Sequence, residues 1–164
     1  MSYDRLYWDT RRKKTLNKRA RYNVVFGETA QEPSDDYRRF TVCGFDSLPL
    51  LGAMRTALPV GLGPRADGLQ AEGNMYYQQG SGIGFHGDNV RKTVICLSLG
   101  TPSRLRYQWR LPGTSEHAHS PVDVGVGHGD LYVMSEKATG YDWRLRSRVR
   151  VVHAAGHAKY IGKD

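Results

Sequence analysis

The chain has 164 residues, a formal net charge of +8 and a hydrophobic share of 39%. That length suits one compact domain over residues 23–164, led by a basic arm over 1–22. No run approaches the roughly 18 apolar residues of a membrane span, and MSYDRLYWDTRRKK holds no apolar signal region.

Residues 1–22 carry Arg5, Arg11, Arg12, Lys13, Lys14, Lys18, Arg19 and Arg21 against Asp4 and Asp9 alone. Such a surface attracts polyanions, with nucleic acid the first partner expected. Strands are predicted over 21–26 (RYNVVF) and 38–45 (RRFTVCGF). SLPLLGAMRTAL (47–58) predicts the main helix, capped by Asp46 or Ser47 with Pro49 in its first turn. GLGPRADG (61–68) reads as a loop. Further strands are predicted over 72–77, 82–86, 93–100, 104–111, 122–126, 129–134 and 147–154, each rich in Val, Ile, Tyr or Phe and bounded by turn residues. Many short strands after one helix imply a mainly antiparallel sandwich or barrel. TVICLSLG (93–100) reads as buried on both faces. Cys43 and Cys96 lie in apolar runs and read as buried thiols of a reducing compartment. Arg144, Arg146, Arg148 and Arg150 alternate to form a second basic row.

The stretch GIGFHGDNVRK (82–92) carries the chemistry. On a strand, His86 and Asp88 point to one face, and Gly84 beside them leaves room for a bulky approach. Two imidazoles plus one hard carboxylate form the 2-His-1-carboxylate set that holds Fe(II) and leaves positions open. Five histidines could complete it. His117 and His119 lie in the polar loop GTSEHAHSP and read as surface residues, and His128 reads as a turn residue. His153 closes an apolar strand late in the chain, and His157 lies beyond it. The strand end favours His153 as the third ligand.

From EGNMYYQQGSGIGFHGDNVRKTVICLSLG onward the chain resembles the AlkB-like branch of the Fe(II)/2-oxoglutarate dioxygenases. The landmarks are Asn-x-Tyr (Asn74, Tyr76), His-x-Asp beginning twelve residues after Asn74, a strand ending in Ser-Leu-Gly, GDLYVMS, and then a tryptophan. The SEKATGYDW and HAAG blocks look like those of short proteins from large DNA viruses, phages and microbial eukaryotes. The resemblance covers residues 17–160.

The resemblance implies a double-stranded β-helix, or jelly roll, with one main helix supporting the sheet. It implies Fe(II) at His86, Asp88 and the distal histidine, and 2-oxoglutarate contacted by Asn74 and Tyr76. It also implies an intracellular enzyme, cytoplasmic or nuclear (of the host cell if viral), that hydroxylates or oxidatively demethylates a substrate. Nucleic acid is the expected substrate; a protein side chain is the enzymatic alternative, and a nucleic-acid-binding module that has lost catalysis is the other. Three departures qualify the match. Arg144 stands where the family's distal histidine follows the tryptophan. No arginine lies among the eleven residues after His153, so Lys159 or Lys163 is the expected partner of the far carboxylate of 2-oxoglutarate. Val90 occupies the position where the repair enzymes keep an acidic residue that helps read the damaged base. Trp109 and Trp143 read as packing residues rather than substrate platforms.

Overall fold

Period-two patterning governs this chain, and the computed structural model, which describes residues 1–162, is mainly β: eleven strands in four sheets among those residues, with few helices. Two compact units divide it, one up to Gln78 and one from Gln79 onward.

In the first unit, β1 (Leu6–Asp9) and β2 (Lys14–Asn17) form an antiparallel hairpin inside the expected basic arm. Lys13 closes its turn at φ 51°, and the Arg12 backbone N–H donates to the Asp9 carboxylate at 2.8 Å. A three-stranded sheet follows, with β3 (Tyr22–Gly27) between β4 (Val42–Gly44) and β5 (Ala71–Met75). Val24 and Phe26, two apart, are buried, as one strand face requires. Gly73 is paired with Val24, and a Cβ there would come within 3.1 Å of the Val24 side chain and 3.3 Å of the Phe26 ring. The expected strand at 38–45 shortens to the three residues of β4, because residues 34–39 are spent on a turn held by Ser34 and Asp36.

Helix α1 (Pro49–Leu62) starts later and ends later than the sequence predicts. Neither Asp46 nor Ser47 caps it. The Asp46 carboxylate accepts from the Ser47 backbone, the Ser47 hydroxyl donates to the Gly44 carbonyl, and Leu48 occupies the cap position with Pro49 just inside. Arg55 anchors the helix, donating to the Leu69 carbonyl and to Glu28, each at 2.8 Å, with its guanidinium 4.6 Å from the Phe45 ring centroid.

In the second unit, β6 (Gly82–His86), β11 (Arg150–Gly156), β8 (Ser103–Arg110) and β9 (Val122–Val126) form one antiparallel sheet in that order. The pair β7 (Val94–Leu97) and β10 (Leu131–Met134) forms another. Strand β11 is the centre of the core: Arg150, Val151, Val152, His153 and Ala154 are all buried, joined by Leu105, Val126, Met134 and Ile161. Each such aliphatic side chain contributes about 1.5–3 kcal/mol by leaving water. Helix α2 (Ala158–Ile161) follows, its N-cap being His157.

Three expectations need correction here. TVICLSLG is not buried on both faces: its strand lies in a two-stranded sheet, and Leu97 and Leu99 are exposed. The strand expected over 147–154 begins only at Arg150, and residues 141–148 form turns. The Arg144–Arg150 row is therefore not one cationic stripe, because Arg150 is buried and donates to the Leu111 and Thr114 carbonyls at 3.1 and 2.6 Å. The two cysteines are free and only half-buried. Among the described residues, no helix is long and apolar enough to cross a membrane.

Candidate metal centre

The antiparallel register of β6 and β11 sets His153 directly opposite His86. Cross-strand partners put their side chains on one face, and the two rings lie 4.4 Å apart at 59°. Asp88, two residues past His86, turns its carboxylate between them: Oδ1 is 3.9 Å from His86 Nε2 and Oδ2 is 3.9 Å from His153 Nε2. One ligand atom from each of the three lies within 4.8 Å of the others, spacing that a single metal ion could bridge.

Local structure keeps those lone pairs available. His86 Nδ1 is 2.8 Å from the Gly84 carbonyl, a contact that makes Nδ1 the protonated nitrogen and leaves Nε2 bare toward Asp88. His153 is held neutral. Burial, with the neighbouring His86, drops its pKa to about 4, against the pull of Asp88 and of the Ala138 backbone. Its Nδ1 is buried and makes no well-formed hydrogen bond, the nearby Ala138 backbone included. A neutral imidazole is the protonation state that a metal needs. Beside them, Arg91 reaches 3.8 Å from Asp88 Oδ1.

The glycine between His86, the last residue of β6, and Asp88 has a steric cause. A Cβ on Gly87 would stand 2.5 Å from the Gly140 carbonyl oxygen and 2.6 Å from Trp143 Cβ. Gly140 itself adopts φ +68°, and a Cβ there would stand 2.6 Å from the Val151 carbonyl oxygen. The turn around Gly140 also holds the ligand strand: the Asp88 N–H donates to the Thr139 carbonyl at 2.8 Å, and the Trp143 indole donates to Asn89. Thr139 is fully buried. Sequence reasoning set SEKATGYDW aside as a matching block and assigned it no role. The signal available was its Thr-Gly turn beside a tryptophan.

The remaining histidines are used elsewhere. His128 Nδ1 accepts from the Gly100 N–H at 3.0 Å, and His157 Nδ1 accepts from the Lys159 N–H at 3.2 Å as a helix cap. His117 is exposed in the β8–β9 loop, bridged to Arg110, and His119 belongs to the same loop.

Asn74 and Tyr76 belong to the first unit. Asn74 lies on β5 and accepts from the Arg21 guanidinium at 2.6 Å, while Tyr76 lies just beyond the strand end, so the two do not share a strand as expected. Lys159 is exposed on α2, its ammonium 5.4 Å from the Tyr160 ring centroid. Lys163 lies outside the described residues. A residue the sequence did not single out is Tyr107, paired with His153 across β8 and β11 and 6.0 Å from it ring to ring. Burial raises the pKa of its phenol. Trp109 is paired with Val151 two residues along the same face.

Comparison with known proteins adds kinship without chemistry. No protein-family model matches the chain, and no solved structure does. It is 36% identical over 160 residues to an uncharacterized protein of Acanthamoeba polyphaga mimivirus, a match covering 95% of this chain. The chain spans 62% of that relative's length.

Proposed function

We propose that the protein is an Fe(II)/2-oxoglutarate-dependent dioxygenase acting on nucleic acid. The observation that carries this reading is the convergence of His86, Asp88 and His153, two imidazoles with one carboxylate between them. Two imidazoles and a carboxylate suit Fe(II) and leave coordination positions for a cosubstrate and oxygen. Bound there, iron and 2-oxoglutarate would supply oxidation of an unactivated C–H bond by O2, with succinate as coproduct, giving hydroxylation or oxidative demethylation.

The chain's own residues hold and shelter that chemistry. His86 and His153 donate Nε2, and Asp88 donates carboxylate oxygen. The Gly84 carbonyl orients His86, and the turn around Gly140 holds Asp88. Tyr107, kept a neutral phenol by its surroundings, offers a hydrogen-bond donor to a cosubstrate carboxylate. Asn74, Tyr76, Lys159 and Lys163 are proposed as further 2-oxoglutarate contacts on the resemblance alone. A jelly-roll arrangement is the fold we propose for the second unit. Its support is the strand order: the chain passes from β6 to the β7 sheet, back for β8 and β9, out again for β10, and returns as β11 between β6 and β8.

The substrate assignment rests on the charge beside the triad. Arg91 lies against Asp88, Lys92 sits 4.9 Å from the Tyr141 ring centroid, and Arg144 sits 5.6 Å from that of Trp143, which packs on Gly87. Cations alternating with rings suit phosphates and bases. An acidic protein segment is the alternative substrate for the same cations. We further propose an intracellular setting, in the cytoplasm or nucleus of a host cell.

The test is to purify the full chain without oxygen, load it with Fe(II), and measure iron content and succinate release from 2-oxoglutarate. Each is measured with and without oligonucleotides or acidic peptides. One iron per chain, with succinate stimulated by oligonucleotide, supports the reading. Stimulation by peptide alone moves the substrate to protein. Iron bound with no 2-oxoglutarate turnover sinks the dioxygenase assignment.

A further inference from the structure

A groove of the first unit, about 570 Å³, is bordered by Tyr7 and Arg12 of the hairpin and by the segment that carries Lys18, Arg19 and Arg21. Four cations line it and no carboxylate does. The unit also holds Asp4, Asp9, Glu28 and Glu72, none of which lines the groove, although the charges of Asp4 and Glu72 act on Lys18. Asp4 is buried against Thr41, Asp9 holds the turn through the Arg12 backbone, Glu28 pairs with Arg55, and Glu72 accepts from Asn23.

The cations differ in how far they are committed. Lys18 is bonded to the Asn23 side chain, and burial lowers its pKa. Arg21 donates to Asn74. Arg12 and Arg19 are exposed, and their guanidinium groups have no side-chain partner among the described residues. The backbone beneath them is fixed nonetheless. The Lys18 N–H donates to the Arg5 carbonyl at 2.8 Å, and the Arg19 carbonyl accepts from the Tyr77 hydroxyl at 3.3 Å. Tyr77 in turn stacks on Tyr22 at 3.9 Å and 7°. These are fixed cations with free heads, a surface prepared for an anion.

The spacing describes the anion. Arg12 follows the Asp9–Lys14 end of the hairpin ladder, and Lys18 follows the Leu6–Asn17 end. Three steps of strand separate those ends, roughly 10 Å, which is more than a single phosphate group spans. Tyr7 adds an exposed ring face within the same groove, on which a base can stack. We infer that this groove binds the phosphodiester backbone of a single-stranded nucleic acid, with a base on Tyr7. The site is built from the first unit alone and stands whether or not the metal assignment does.

The experiment titrates the full chain into labelled single-stranded DNA and RNA 12-mers at several salt concentrations, with inorganic polyphosphate as a third probe. For a single strand, each phosphate contact contributes about 0.7 to the log–log salt slope. The double variant Arg12→Ser/Arg19→Ser should therefore lower the slope by about 1.4. Arg65→Ser, an exposed cation outside the groove, should leave it unchanged, and Arg19→Lys should restore most of the Arg19 share. Tyr7→Ser should weaken oligonucleotide binding at constant slope. Protein treated with a metal chelator should bind as untreated protein does, which separates this site from the metal reading. An unchanged slope in the double variant, or no wild-type binding at low salt, overturns the inference. Polyphosphate binding as tightly as the oligonucleotides at matched phosphate overturns the assignment to nucleic acid. A preference between DNA and RNA would name the sugar and supports the site in either case.

Discussion

The two faces of the sheet β6–β11–β8–β9 use buried polar side chains in opposite ways. On one face, Arg106 is saturated: it holds Asp123 through Nε at 2.6 Å and through Nη2 at 2.7 Å, and it donates to the Ile161 carbonyl at 3.2 Å. Arg150, on that same face, solvates two loop carbonyls through Nη2, while its Nε and that of Arg110 are buried without partners. On the other face, His86, His153 and Asp88 point lone pairs at one another and supply nothing positive between them except the grazing contact of Arg91. Buried polar groups are normally satisfied. A face whose donors are spent on carbonyls and a carboxylate is architecture, and a face whose acceptors converge on one point suits a cation. Charge and burial alone do not separate these cases, because His153 and Arg150 are equally deep in one strand.

The sharpest way to break the comparison is to remove one convergent ligand. His153→Ala should lower Fe(II) affinity by more than about a hundredfold, because even loss of an outer partner of a metal ligand costs 10–100-fold. His128→Ala should leave it unchanged. Competition against a calibrated chelator measures both, and near-normal affinity in His153→Ala would remove the triad from consideration. Next in size is Gly87→Ala. The added methyl meets the Gly140 backbone oxygen at 2.5 Å, and backbone cannot swing aside as a side-chain tip can. Destabilisation of about 1–3 kcal/mol in urea unfolding is expected, together with weaker iron binding as Asp88 is displaced. Wild-type stability there would mean that the Gly140 turn does not hold the ligand strand.

The architectural face gives the converse. Arg106→Met should cost stability while leaving iron affinity intact. Breaking a fully buried pair costs about 3–5 kcal/mol, but Asp123 is about one-third exposed, so about 1–2 kcal/mol is expected. Loss of iron binding in that variant would show that the two faces are coupled after all.

How much of this was legible in the sequence follows from what each signal depends on. The limits of β6 and β9 were readable because alternation and flanking turn residues are local. His86 and Asp88 were singled out by parity on one strand, although Asp88 lies two residues past the end of β6. His153 was singled out by an expected strand end that the structure replaces with the middle of β11. What placed His153 opposite His86 was strand register, a long-range property that no window of the sequence encodes. The hairpin β1–β2 was hidden because its strands are four residues long and set in a charge-rich segment that resembles a disordered arm. Arg150 was misread for a related reason. Four alternating arginines look like a solvated stripe, and only the fold reveals that the last of them faces two loop carbonyls. The role of Gly87 was invisible as well, since its neighbour Gly140 lies 53 positions away.

The smallest effect distinguishes the faces by pH, measured on metal-free protein. His153 has a folded pKa of about 4 against an ordinary 6.5, so the unfolded chain takes the proton first. Its face therefore loses stability as pH falls from 6.5 toward 4, and loses no more below that. Asp123 behaves differently. Hydrogen bonding from Arg106 holds its carboxyl below the ordinary 3.8, so its contribution is present above that value and is lost as pH falls through the depressed one. Partial exposure screens the pair, so the slope should be shallow. Asp123→Asn should flatten the stability curve below about pH 4 while leaving its shape between 4 and 6.5 unchanged. Urea midpoints at half-unit pH intervals would measure both windows. A change confined to the upper window would mean that Asp123 does not draw its low pKa from Arg106, and that the saturated face is less settled than its hydrogen bonds imply.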